Sequence, residues 1–194
     1  MFLSKLVLDV SSRDVKHDVG NPYELHRTLS RVLEGHEGRV LWRLETPAFG
    51  PPFVLVQSPV MPDWEVLGTR YLRKAEVKAF AARFQAGRGY YFRLLANPVV
   101  TREGKRFGLP DDAKVSWLAR KAEEGGFKLL GGRVQETGVI KARRKGAKVT
   151  LSVAAFEGVL VVKDDVLFRQ TLVQGIGPAK AFGMGLLSVA PLDD

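Results

Sequence analysis

The tetrapeptide Asn21-Pro22-Tyr23-Glu24 constrains this chain more than any other feature. It sets an N-cap residue, a proline at the first helical position and a glutamate at the third, which together mark a helix start. Leu25, Leu29, Val32 and Leu33 then recur at helical spacing before Gly35, so a helix over about 22–33 is expected. Upstream, Phe2–Val10 alternates and is rich in Leu and Val, which reads as a strand, and a polar connection over 11–20 joins the two.

The same reading extends downstream. Arg39–Glu45 and Phe53–Gln57 are expected strands around a Pro/Gly turn, and Pro62-Asp63-Trp64 looks like a second helix start. The stretch 70–87 gives no clear signal, and Tyr90–Leu95 again has strand character. The order β-α-β-β-α-β is that of a ferredoxin-like unit, the arrangement of RNA-recognition modules. Asn97-Pro98 supplies a boundary at a turn-favouring dipeptide. Beyond it, Pro110-Asp111-Asp112 opens a helix with Val115, Leu118, Ala119 and Ala122 on one face, closed by Gly125-Gly126. Strands at 127–130, 134–142, 149–155 and 159–162, a short helix over 164–173, a glycine-rich loop and a strand at 186–190 complete the chain. The expectation is an α+β protein of two tandem ferredoxin-like (RRM-like) βαββαβ domains, 1–96 and 97–194. The duplication lies in the order of elements, not in the residues themselves.

Composition narrows the class of partner. The 194 residues are 45% hydrophobic and 26% charged, as in ordinary globular proteins, but 30 Lys and Arg against 21 Asp and Glu give a formal charge of +9. Such a surface concentrates polyanions, so nucleic acid is the first partner to consider, without a choice between RNA and DNA. The absence of cysteine removes disulfides, thiol catalysis and Cys-ligated zinc. The apolar run at 2–8 is too short to span a membrane and no small-residue cleavage site follows, so a cytoplasmic protein that meets no membrane is expected.

At 100° per residue, Tyr23, His26, Arg27 and Ser30 fall opposite the apolar side of the first helix. A phenol, an imidazole and a guanidinium then gather near a helix N-terminus, where backbone N–H groups and the dipole favour a phosphate. Cleavage of RNA through its own 2′-hydroxyl needs a base for that hydroxyl, an acid for the departing 5′-oxygen, and positive charge for the transition state. His26 can serve as base or acid, Tyr23 can orient the 2′-oxygen or hold the phosphate, and Arg27 can neutralise developing charge. The plain alternative is an exposed histidine beside a rim aromatic. His17, in the polar connection, and His36, in a turn, are expected to be solvated and idle. The acidic pairs Asp111-Asp112, Asp164-Asp165 and Asp193-Asp194 are explained by helix starts and the terminus, so neither a metal nor a cofactor is expected.

Lys141, Arg143, Arg144, Lys145 and Lys148 surround Gly146 and read as a β-hairpin with a cationic tip, suited to phosphates or simply solvated. Arg102, Lys105 and Arg106 form a second basic loop. The loop 175–185 carries four glycines, but too few residues follow for a β-α-β unit and the phosphate-loop lysine and serine or threonine are missing, so a Rossmann site and a phosphate loop are excluded. It is suited either to close backbone approach, with Lys180 as a phosphate contact, or to tight packing alone.

The stretch 21–29, the strand Val40–Glu45 and the closing run 177–191 are together similar to the CasE repeat endonucleases of type I-E CRISPR systems. The resemblance covers nearly the whole chain. It implies two ferredoxin-like domains, recognition of the stem-loop of CRISPR repeat RNA, metal-independent cleavage at the 3′ base of that stem, retention of the processed RNA, and assembly with other Cascade subunits. The family's catalytic tyrosine and histidine fall on Tyr23 and His26, and its stem-binding hairpin on Arg143, Arg144 and Lys145. A catalytically silent RNA-binding module on the same surface is the alternative. A metal-dependent nuclease or DNA-binding factor would need a carboxylate cluster or recognition helix that the sequence lacks.

Overall fold

The computed structural model describes residues 1–81 and 83–192, the side chain of Glu136 excepted. It divides into two compact units: Met1–Ala82 with Ala142–Val149 and Ala181–Gly183, and Arg83–Lys141 with Thr150–Lys180 and Met184–Asp194.

The first unit is built from β1 (Phe2–Leu8), α1 (Arg13–Gly20), α2 (Pro22–Val32), β2 (Leu41–Glu45), β3 (Phe53–Ser58), a single 3-10 turn (Trp64–Leu67) and β4 (Leu72–Ala79). Its sheet runs β2-β3-β1-β4 with antiparallel neighbours, Leu6 lying opposite Val54 on one side and Ala75 on the other. This is the ferredoxin-like order. Alternation explains β1: Ser4, Leu6 and Leu8 point into the core while Lys5 faces solvent. Leu25 and Leu29 of α2 pack with Leu6, Leu8, Val54 and Trp42. Truncation of Leu29 to alanine in such a core costs about 2–5 kcal/mol.

The second unit repeats the order: β5 (Gly89–Ala96), α3 (Asp111–Glu124), β8 (Phe127–Arg144), β9 (Ala147–Val162), α4 (Asp165–Gln174) and β10 (Leu187–Pro191), with sheet order β10-β5-β9-β8. A small hairpin, β6 (Val99–Arg102) and β7 (Lys105–Gly108), is inserted between β5 and α3. Phe84, Phe127 and Tyr90 surround Phe168 of α4 at ring-centroid distances of 4.9, 5.4 and 6.5 Å, an aromatic core that holds α4 on its sheet. Among the described residues, no helix is long and apolar enough to cross a membrane.

The α+β, twice ferredoxin-like architecture agrees with the sequence reading, and several elements differ from it. The expected strand at 90–95 opens the second sheet, and the fourth strand of the first is β4, in the stretch that gave no signal. Six of its eight residues are exposed, so it carries little hydrophobic pattern. The polar connection 11–20 contains α1, anchored by Val15 and by Asp18, whose buried carboxylate accepts hydrogen bonds from Thr28 Oγ1 and Tyr71 OH, each at 2.7 Å. The expected second helix at 62–64 is only the 3-10 turn, capped by Asp63 and fixed by the Trp64 indole donating to Ser4 Oγ at 2.8 Å. In α3 the buried face is Lys114, Trp117, Leu118 and Ala122, whereas Val115 and Ala119 are exposed. The expected strands between 127 and 162 merge into the two long strands β8 and β9.

Candidate active site

With Leu25, Thr28 and Leu29 turned into the core, α2 presents Tyr23, His26 and Ser30, half-buried, on its other side. The Tyr23 and His26 rings lie 6.5 Å apart between centroids. Nδ1 of His26 is 3.3 Å from the indole nitrogen of Trp42 on β2 and 3.5 Å from Ser30 Oγ. Burial pushes the His26 pKa below the ordinary histidine value, because a partly desolvated imidazolium is disfavoured.

The tip of the β8–β9 hairpin belongs to the same unit and adds charge. Asn21 was expected to cap α2 with its side chain. Instead its backbone carbonyl accepts from Glu24 N at 2.8 Å, and its side-chain amide pairs with the main chain of Arg143, donating at 3.2 Å and accepting at 3.1 Å. A single amide that bonds both the N–H and the C=O of one strand residue fixes that strand in register. The next residue, Arg144, carries its guanidinium 5.7 Å over the Tyr23 ring. Phe182 packs on Tyr23 with ring centroids 5.8 Å apart, so the phenol has both a cation and an apolar ring as neighbours.

Arg27 goes elsewhere. Its guanidinium bonds Glu24 Oε2 at 2.8 Å and lines a groove with Asp14, His17, Asp18 and Tyr71, so Arg144, not Arg27, is the cation beside Tyr23. Arg102, Lys105 and Arg106 are exposed on the β6–β7 hairpin; Lys141, Arg143, Arg144, Lys145 and Lys148 are exposed on β8, its turn and β9. Lys180 is half-buried and donates to the Gly177 carbonyl, closing the glycine-rich loop on itself. His17 is on α1, with Nδ1 3.1 Å from Asp18 Oδ1, and His36 is exposed after α2. Asp164 caps α4 by accepting from Val166 N and Leu167 N, as its place in the sequence implied, whereas Asp111 instead bonds Lys114 Nζ. Asp193 and Asp194 lie outside the described residues. Among the described residues, no group of three His, Asp or Glu side chains is arranged to hold a metal ion.

Sequence reasoning did not bring Trp42, Phe182 or Gly183 to this site. A signal existed: the glycine-rich loop was suited to close backbone approach, and Gly183 makes such an approach, to the Trp42 ring. The pairing of Asn21 with Arg143 spans 122 residues and leaves no local trace.

A protein family described as "CRISPR associated protein" matches residues 1–191. The chain is 45% identical to the CRISPR-associated endoribonuclease Cse3 of Thermus thermophilus, over 98% of this chain and all of that one. It is 31% identical to the Cascade subunit CasE of Escherichia coli, over 99% of this chain and all of that one. The structure of Thermus thermophilus Cse3 bound to an RNA representing a pre-cleavage complex superposes with a TM-score of 0.90 at 42% identity, covering 98% of each chain.

Proposed function

The chain belongs to the CRISPR-associated protein family, and from that premise and the geometry around His26 we propose that it is an endoribonuclease that processes CRISPR repeat RNA. The observation that carries this reading is the grouping of Tyr23 and His26 on one face of α2 with Arg144 held over the phenol ring. The naming of Cse3 as an endoribonuclease and its RNA-bound structure support it.

In the proposed reaction the 2′-oxygen attacks the adjacent phosphorus, the bond from phosphorus to the 5′-oxygen breaks, the 2′-hydroxyl loses its proton and the 5′-oxygen gains one. The products are a 2′,3′-cyclic phosphate and a 5′-hydroxyl, and every atom and charge is accounted for without a metal or cofactor. Tyr23 and His26 are the catalytic residues of this reading. Arg144 offsets charge developing on the phosphate. Arg143, Lys145, Lys141 and Lys148 follow the stem of the repeat hairpin, while Arg27, Arg102, Lys105, Arg106 and Lys180 add further phosphate contacts. Cleavage falls at the 3′ base of the stem, and the protein keeps the product. The Cascade name of the Escherichia coli relative supports a further role among Cascade subunits, in the cytoplasm.

The test incubates the full chain with a labelled repeat hairpin in EDTA, beside His26→Ala and a substrate carrying a 2′-deoxy sugar at the cut site. One cut, abolished by either change while binding persists, is expected. Binding without a cut by the wild type would leave a catalytically silent RNA-binding module, and a cut that survives the 2′-deoxy sugar would exclude attack by the 2′-oxygen.

A further inference from the structure

Trp42 is almost fully buried at 1% exposure, and its indole N–H is directed at Nδ1 of His26 at 3.3 Å. The far edge of the same ring rests on Gly183. That residue has φ +80°, and a Cβ built on it would fall 2.7 Å from Cζ3 and 2.9 Å from Cη2 of Trp42, closer than side chains approach, so any larger residue would displace the ring. Phe182, the preceding residue, packs on Tyr23. The end of the glycine-rich loop thus packs on Tyr23 directly and on Trp42, the neighbour of His26.

An indole N–H donates and never accepts, whereas each imidazole nitrogen can do either. The nitrogen facing Trp42 must therefore carry the lone pair, and in a neutral ring the proton then lies on Nε2. The second neighbour of Nδ1, the Ser30 hydroxyl at 3.5 Å, can turn to suit either state and does not decide the question. We infer that Trp42, held in place by Gly183, is a positioning residue that locks His26 as its Nε2–H tautomer, so that the ring atom left for RNA is a hydrogen-bond donor. The inference rests on the endoribonuclease reading and assigns His26 a side of the reaction. An Nε2–H group stabilises the 5′-oxygen as its bond to phosphorus breaks. It cannot take up the 2′ proton at that atom without first losing its own.

The experiment is ring-nitrogen NMR of the full chain with 15N-labelled histidine, paired with single-turnover cleavage of the labelled hairpin. Wild-type His26 is expected as one fixed tautomer protonated at Nε2. Trp42→Phe keeps an aromatic ring but loses the N–H, so the His26 signals should average between tautomers, and the cleavage rate should fall about tenfold to a hundredfold at unchanged RNA affinity. A purely structural Trp42 would lower the Tm of that variant and leave the tautomer and rate alone, which overturns the inference. So does a wild-type spectrum with the proton on Nδ1, a result that needs no folded variant. Failure of the wild type to cut the hairpin overturns the endoribonuclease reading instead, and it is read from the cleavage assay independently of the spectrum.

Discussion

Two basic hairpins turn in the same way and are held differently. The β6–β7 hairpin turns at Glu103-Gly104 and the β8–β9 hairpin at Lys145-Gly146; in each, both turn residues have positive φ, 49° and 74° in the first and 49° and 81° in the second, the pattern of a type I′ turn. Among the described residues the β6–β7 hairpin pairs only within its own two-stranded sheet, and it is packed at its base, where a Cβ on Gly108 would fall 2.8 Å from Cβ of Ser152. The tip of β8–β9 is fixed by Asn21 on both polar groups of Arg143, and it delivers Arg144 to Tyr23. Local turn chemistry makes a cationic hairpin. A fixed partner turns one of its cations into part of a site.

The largest effect that separates the two regions is on the chemical step. His26→Ala should lower the single-turnover rate about 10²- to 10⁴-fold with stem-loop affinity retained, whereas replacing Arg102, Lys105 and Arg106 together by alanine should leave the rate at saturating protein unchanged and weaken binding. A salt titration reads the second effect, because each lost phosphate contact reduces the slope of log affinity against log salt by about one. If the triple variant slowed the saturated reaction, the contrast between the hairpins would fail.

Next in size is the comparison of single arginines. Arg144→Ala should lower the saturated rate about a hundredfold, the scale of losing one preorganised donor to a developing anion, while Arg106→Ala should change only affinity. Arg144→Lys keeps the charge but not the planar group that lies over Tyr23, so it should restore part of the rate. Equal losses from Arg106→Ala and Arg144→Ala would mean that both residues serve binding alone.

How much of this was legible in the sequence differs between the same regions. The start of α2 was readable because proline and glutamate act within one turn, and the faces of the helix follow from spacing alone. The cationic tip was readable because glycine and a run of basic residues are local too. What escaped was anything decided by a distant partner: Asn21 has the right identity for a cap yet is used by a strand 122 residues away, and Trp42 reads as an ordinary core residue until Gly183 and His26 are beside it. β4 escaped for a different reason. As an edge strand with mostly exposed charged side chains it has no apolar alternation to detect.

The anchor itself can be weakened without touching a charge. Asn21→Ala removes two hydrogen bonds to Arg143, each worth about 0.5–1.5 kcal/mol net, so chemical denaturation should show a loss of about 1–3 kcal/mol. Amide exchange at Arg143 should rise while the β6–β7 amides stay as they are. Asn21→Asp keeps the acceptor for the Arg143 N–H and loses the donor to its carbonyl, so roughly half of the loss should return. Unchanged exchange at Arg143 in Asn21→Ala would show that the tip is held by the Arg144 contact with Tyr23 instead.

The smallest effect is a pH dependence confined to one region. Burial holds the folded-state pKa of His26 below the ordinary value of about 6.5, so between those two values the unfolded chain binds more protons than the folded one. Stability is therefore full above the ordinary value and declines as the pH falls through the ordinary and then the lowered pKa. The groups facing the ring are Tyr23 and Ser30 on α2 and Trp42 on β2, and the Trp42 N–H opposes protonation of Nδ1 in the same sense. His26→Gln removes the titration but can keep a polar group near Trp42. The wild type should therefore lose stability on acidification from pH 7 to 5 more steeply than His26→Gln, with the difference seen in amide exchange along α2. The β6–β7 hairpin has no histidine and should respond alike in both proteins. A matching slope in the two proteins would mean that His26 titrates as it does in the unfolded chain, and the ring would then have to be open to water on the side that faces Trp42.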